Sequence, residues 1–330
     1  MVKKVSILVA VHNSAEWLPR CLDSLCTQSY GNVEVVCVDD ASTDGSLALL
    51  QQFAVKYSNL KYSSLAVNSG PAVARNEAFR LSTGDYIMMV DSDDWLSADA
   101  VERAADVLDR HVDTGSVLFR MVYHDAVTGA EEDFSDKRTA DVLDGVEAMR
   151  LALDWDIHGL YLARRALYEA YPFDTSSFLY SDDNTARRHY LHSGKVRFCN
   201  GIYYYLQHRQ SMLHNPGIHY VDWLEATASL KQMLVDENQP AEYINHIEER
   251  LWQNIVAVSG YYWRYGHTLT ADERASVLLR IRKHHAAAEL HRLPLSLKCK
   301  FGFIPFKCCF SLFMAQARIY FYLRKAIKGV

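Results

Sequence analysis

Four times in the first 111 residues, an apolar run gives way to a stretch with helical periodicity. Val5 to Val11 is the first run, and "SAEWLPRCLDSLCTQ" follows it with Trp17, Leu18, Cys21, Leu22 and Leu25 on one face. "VEVVCVDD" (33–40) precedes "STDGSLALLQQFAVKY", a capped amphipathic helix. A short strand near "LKYSSLA" leads to "NSGPAVARNEAFRLS", and "DYIMMVDSDDWL" leads to "ADAVERAADVLDRH". Strands that alternate with helices pair in parallel, because the helix carries the chain back along the sheet. Such sheets bind ligands outside the carboxyl ends of their strands, where strand order reverses. Two of these predicted ends are acidic, Asp39-Asp40 and Asp91, Asp93 and Asp94. Clustered carboxylates repel one another, and closely spaced hard oxygens of this kind suit Mg²⁺ or Mn²⁺, with phosphate oxygens completing the shell.

From 112 to 205 the alternation becomes irregular. "GSVLFRMVYHD" and "VRFCNGIYYYLQHR" read as strands, and Tyr203 to Tyr205 alternate mostly into a core. "HNPG" then breaks the pattern near 215, before the long helices "DWLEATASLKQMLV" and "YINHIEERLWQNIVAVSGYYW". This sets a domain at 1–215, halved at 111, and a helical region at 216–330. The net charge of −5 disfavours a general nucleic-acid binder. Seven cysteines without C-x-x-C spacing point to reduced thiols and a cytoplasmic setting. The N-terminal apolar run lasts seven residues, so it reads as a strand and not as a signal peptide.

The segments "VSILVAVHNSAEWLPRCLDSLCTQSYGNVEVVCVDDASTDGS", "NSGPAVARNEAF" and "GDYIMMVDSDDWL" occur in order over residues 3 to 110. Together they resemble the N-terminal half of family 2 glycosyltransferases of the GT-A fold, bacterial surface-polysaccharide type. The resemblance implies an α/β fold, a Rossmann-like mixed and mostly parallel sheet flanked by helices, with a C-terminal helical extension. It also implies a UDP-sugar donor, an Mn²⁺ or Mg²⁺ cofactor, inversion at the anomeric carbon, and a glycan or lipid-linked acceptor. Ala10, Val11, Asp39 and Asp40 would then hold the base and ribose, an aspartate accepting from uracil N3–H. Asn13, Asn68, Gly70, Arg75, Asp91 and Ser92 join this donor set, with Arg75 turned to the diphosphate or else lying on the helix surface, paired with Glu77 or Asp85. Asp91 and Asp93 form the family's D-x-D, and Asp91, Asp93 and Asp94 are the metal candidates. The pair Asp182-Asp183 stands where the family carries an acidic pair with Glu first. Asp183 is the implied general base, and the same residues would also cap a helix. One base without a second paired carboxylate fits a single in-line displacement. His208, Arg209 and Ser211 would close over the donor phosphates, and His158 lies where relatives contact acceptor. Two other readings stay open, a non-catalytic nucleotide-sugar or glycan-binding relative and a nucleotidyltransferase. "VAVHNSAEW" lacks the Gly-rich basic loop of the latter.

Between His291 and Val330 stand eight Lys or Arg and no Asp or Glu. If helical after Pro305, the tail stacks Lys307, Arg318 and Lys325 along one face, with Phe310, Phe313, Met314 and Phe321 elsewhere. This suits peripheral contact of residues 295–330 with the inner face of a cell membrane, or pairing into a homo-oligomer.

Overall fold

The computed structural model describes residues 2–138, 140–208, 217–299 and 302–328, with side chains through 323. It divides into two compact units: Met1–Phe178 with Asp182–Ser211, and Leu179–Ser181 with Met212–Val330. The first unit opens with β1 (Val5–Val11), α1 (Leu18–Cys26), β2 (Val33–Asp39), α2 (Ser46–Lys56) and β3 (Leu60–Ser64). It continues with α3 (Pro71–Leu81), β4 (Tyr86–Met89), β5 (Trp95–Leu96) and α4 (Ala100–Arg110). Then come β6 (Thr114–Asp125), β7 (Glu131–Asp133), β8 (Val142–Asp144), α5 (Gly145–Leu153) and β9 (Tyr161–Arg164). α6 (Arg165–Ala170), α7 (Asp182–Leu191) and β10 (Lys195–Gln207) complete it.

One mixed sheet runs β3-β2-β1-β4-β9-β6-β10-β5, with β7 added to β6 and β8 to β10. β1 sits between β2 and β4 and is parallel to both, so strand order reverses around it and opens a crevice at its carboxyl end. β1 is buried on both faces at Val5, Ile7, Leu8, Val9 and Val11, as its unbroken apolar run requires. The long pairings β1–β2 and β6–β10 are parallel, whereas β9 enters antiparallel between β4 and β6. Trp95-Leu96 forms a short strand antiparallel to β10, with Leu96 opposite Tyr203 and Trp95 opposite Tyr204. Of the three tyrosines assigned mostly to the core, Tyr203 is fully buried, while Tyr204 and Tyr205 are half-buried.

At the amino end of the sheet Glu34 is buried on β2. It accepts from Lys4 Nζ at 2.8 Å, Lys61 Nζ at 2.7 Å, Ser6 Oγ at 2.6 Å and Thr83 N at 2.6 Å. Burial alone would raise its pKa, but the two lysines and the hydrogen bonds outweigh this and hold it well below the usual carboxylate range.

The second unit contains α8 (Asp222–Asp236), α9 (Ala241–Tyr265) and α10 (Ala271–Ala287). α11 (Leu295–Lys298), α12 (Phe303–Cys308) and α13 (Phe310–Lys328) follow. Its core joins Leu224, Leu251, Ile255, Val277, Ile281, Phe306 and Phe313. α10 starts on a capping box in which Thr270 and Glu273 bond reciprocally. Extended backbone at Cys309 separates α12 from α13, so Lys307 does not share a continuous helical face with Arg318 as expected from the sequence.

Replacing Glu34 by Gln leaves two lysines beside a neutral group and should cost about 3 kcal/mol in urea unfolding at neutral pH. Because the folded-state pKa is depressed, the gap from the native protein is full above about pH 4.3 and narrows as pH falls below it.

Candidate active site

β4 delivers "DSDD" to the carboxyl side of the sheet, and each of its three aspartates meets a different partner. Asp94 is buried; its Oδ2 accepts from the Tyr203 hydroxyl at 2.8 Å and its Oδ1 from Leu206 N at 2.8 Å. The same Tyr203 oxygen accepts from Asp91 N at 3.1 Å, so one phenol fixes both ends of the turn. Burial first, then Asp93 and Asp91, push the Asp94 carboxyl well above its ordinary value. Asp94 therefore points into β10, and this corrects its place among the metal candidates. Asp93 faces the other way and its Oδ2 lies 2.9 Å from His208 Nε2. Asp91 pairs through Oδ1 with Arg75 Nη2.

Arg75 lies on α3, only 3% exposed, and does not project to an open diphosphate site as the sequence suggested. Its guanidinium bridges Asp91 and Asp182, the latter at 3.0 Å, and its buried Nε has no partner. Burial works against the charge, but the two carboxylates outweigh it and raise the guanidinium pKa. Asp182 and Asp183 open α7, so the acidic pair does sit at a helix start, where the dipole favours negative charge.

The Asp183 carboxylate accepts from the Trp155 indole Nε1 at 2.8 Å, and Arg187 Nη2 stands 3.7 Å away. Burial, the largest influence, raises its pKa above the usual aspartate value, with Arg187 opposing. Trp155 ends α5: its N–H donates to Ala152 O at 3.4 Å, and Asp156 N–H donates to Leu151 O at 3.0 Å. In this helix-ending motif the left-handed position usually falls to glycine. Trp155 occupies it with φ 60°, a strain of about 1 kcal/mol or more for a bulky residue, and its indole is thereby turned to Asp183. Nothing in the sequence marked Trp155. Gly159 completes the setting, since a Cβ there would lie 3.4 Å from Asp183 Oδ1.

Across the crevice the ends of β1 and β2 are laced together. His12, which sequence reading passed over, binds Asp40 O through Nδ1 at 2.7 Å, and its Nε2 lies 3.1 Å from both Asn13 Nδ2 and Asn68 Nδ2. Asp40 accepts from Ser69 N and Gly70 N, each at 2.7 Å, and so holds the loop that starts α3. Gly70 has φ 92°, and a Cβ there would meet the Phe178 ring at 3.1 Å. Asp39 accepts from Ser42 N through Oδ2, while its buried Oδ1 has no partner. Ser92 joins Ser14 at 2.6 Å; Val11 is buried and Ala10 half-buried beside them.

His158 is not in the crevice. It is buried, Nε2 donates to Phe119 O at 3.0 Å, Nδ1 accepts from Leu160 N at 3.2 Å, and burial lowers its pKa to about 4. Both ring nitrogens are occupied, so its assignment to the acceptor is corrected to a structural role. Arg209 and Ser211 lie outside the described residues.

Asp93 and His208 fit a divalent cation. Adjacent ligands on an octahedral ion with bonds near 2.1 Å stand about 3 Å apart, and Oδ2 and Nε2 are 2.9 Å apart. His208 Nδ1 is buried without a partner. Among the described residues no three His, Cys, Asp or Glu side chains gather to hold a metal unaided, so other ligands would have to come from elsewhere, as from a donor's phosphates.

A mixed sheet with its strand reversal at β1 and acidic loops above it is the GT-A architecture, a fold of nucleotide-sugar enzymes. Residues 6–166 match the sequence model of the family described as "Glycosyl transferase family 2". It is 44% identical over 103 residues to poly(ribitol-phosphate) beta-glucosyltransferase of Bacillus spizizenii, covering 30% of this chain and 16% of that protein. It is 38% identical over 111 residues to the poly(ribitol-phosphate) beta-N-acetylglucosaminyltransferase TarS of Staphylococcus aureus, 33% of this chain and 19% of TarS. The aligned segments thus span less than a fifth of these relatives. Similarity to glycosyltransferase GlyG of Streptococcus pneumoniae is 24% over 228 residues, 64% of this chain and 73% of GlyG. The crystal structure of S. aureus TarS 1–349 in complex with UDP-GlcNAc has a TM-score of 0.70 and 20% identity, covering 99% of this chain and 92% of that one.

Tyr203→Phe removes the phenol shared by Asp94 and Asp91 N and leaves both buried and underpaired. Thermal unfolding should show a loss of about 2 kcal/mol.

Proposed function

We propose that the protein is an inverting glycosyltransferase that moves a sugar from a UDP-sugar to a hydroxyl of a glycan or lipid-linked acceptor. The observation that carries this reading is Asp183, a carboxylate of raised pKa held by Trp155 beside the Asp91–Arg75–Asp182 bridge. In the displacement, the acceptor hydroxyl loses its proton to Asp183 while its oxygen forms the new bond to the anomeric carbon. The bond from that carbon to the UDP oxygen breaks, and its electron pair leaves with UDP. A raised pKa makes Asp183 a better proton acceptor, provided the pH keeps it ionised. Arg75 fixes the spacing between the donor acids and α7, and keeps Asp182 from acting as a second base. Asp39 Oδ1 is the buried unpartnered acceptor suited to a uracil N3–H, and Asp40, Asn13 and Asn68 shape the surrounding loop. When bound by Asp93 and His208, with Asp91 adjacent, Mn²⁺ or Mg²⁺ would offset the charge appearing on the diphosphate. The names of the relatives support glucose or N-acetylglucosamine as the sugar and a surface polymer such as poly(ribitol phosphate) as acceptor.

UDP with Mn²⁺ should raise the thermal midpoint, and EDTA should abolish the shift. Asp183→Asn should keep the shift and lower transfer from UDP-glucose or UDP-GlcNAc by about 10²- to 10⁴-fold. Loss of the shift in this variant would instead move Asp183 to the donor side.

Trp155→Phe removes the hydrogen bond that stabilises ionised Asp183. Its pKa then rises further, and the acid limb of the pH–rate profile should move to higher pH. An unmoved limb would assign the indole to packing alone.

A further inference from the structure

The last helix of the second unit is apolar on two opposite faces. Phe313, Met314 and Ala317 of α13 are buried in the core, Phe313 against Phe306 at 4.9 Å between ring centroids. Phe321 crosses α9 so closely at Gly260 that a Cβ there would fall 2.3 Å from its ring. These residues fix which side of α13 faces inward. At 100° per residue, Leu312, Ile319, Tyr322 and Leu323 fall together on the opposite side. They are 47%, 60%, 75% and 51% exposed, and Ala315, also exposed, falls among them. Ile304 on α12 and Leu295 on α11 are exposed as well. An apolar face left on the outer side of a packed helix needs a second apolar phase against it. No described helix is long and apolar enough to cross a membrane, so a spanning role does not account for this face.

Charge selects the occupant. Residues 291–330 carry eight Lys or Arg and no acid, so the remainder of the chain holds 27 basic and 40 acidic residues, a balance of −13. A second copy on this face would bring two basic tails together with no carboxylate from either tail to pair them. An anionic lipid leaflet supplies both the apolar phase and the opposite charge. We propose that α13 lies in the interface of an anionic phospholipid bilayer, with Leu312, Ile319, Tyr322 and Leu323 entering the acyl boundary and the exposed Lys307 and Arg318 meeting the headgroups. Arg318, exposed on the flank of this face and 5.1 Å over the Trp263 ring, lies at headgroup level.

Flotation of the full chain tests this without reference to sugar transfer. The probe is a phosphatidylcholine vesicle carrying about 30 mol% phosphatidylglycerol, against pure phosphatidylcholine. The protein should float with the anionic vesicles at least about tenfold more than with the neutral ones, and about 0.5 M salt should release much of it. Ile319→Gln with Leu323→Gln should lower flotation by about tenfold or more while leaving the thermal midpoint unchanged, because both side chains face solvent. Absence of flotation with anionic vesicles would overturn the proposal, as would flotation that the double variant does not reduce. A dimer in solution that the double variant converts to monomer would also overturn it, and would give the face to a second copy.

Discussion

The buried guanidinium of Arg75 is the contact on which the arrangement of the site depends. It joins Asp91, at the end of β4, to Asp182, at the start of α7. Without a cation between them, these two half-buried carboxylates would repel one another. With it, the turn after β4 and the helix that carries Asp183 are held at one spacing. Breaking such a buried pair leaves an uncompensated charge and costs more than an exposed ion pair contributes.

The acids of the β4 exit divide their work in the same spirit. Asp91 goes to Arg75, Asp93 to His208, and Asp94 to Tyr203 and Leu206 N. The crowding that seemed to require a metal is thus relieved in part by the chain itself. Asp93 faces outward beside the His208 imidazole, whose buried Nδ1 has no partner. The opposite wall follows another logic. There, backbone N–H groups of the α3 loop satisfy both oxygens of Asp40, whereas one buried oxygen of Asp39 has no partner.

Much of this was legible in the chain. The alternation through residue 111 foretold β1 to α4, and the acid clusters at strand ends marked the crevice, because both signals arise from neighbours in sequence. The helix start at Asp182-Asp183 was legible from its capping pattern. The misreadings share one cause. His158 and Asp94 have chemistry suited to a site, yet each is turned into the core, and direction is set by strands packed from elsewhere. Trp155 failed to register because its part depends on backbone conformation: a tryptophan at a helix end carries no signal until its φ of 60° is known. In the tail, the sequence carried the charge and the apolar content, but only the crossing of α13 over Gly260 separated the inward face from the outward one.

By itself, then, the sequence determined the parallel half-sheet, the crevice at its carboxyl end, and the stock of carboxylates placed there. These follow from periodicity and local chain chemistry, which act over a few residues. Tertiary structure decided which carboxylate does what. Arg75 and Asp182 are 107 positions apart, Tyr203 and Asp94 109, and His208 and Asp93 115. A carboxylate is ligand, base or brace according to the group that desolvates or pairs it. At such separations that group is chosen by the path of the chain through the sheet, and no local pattern encodes the path.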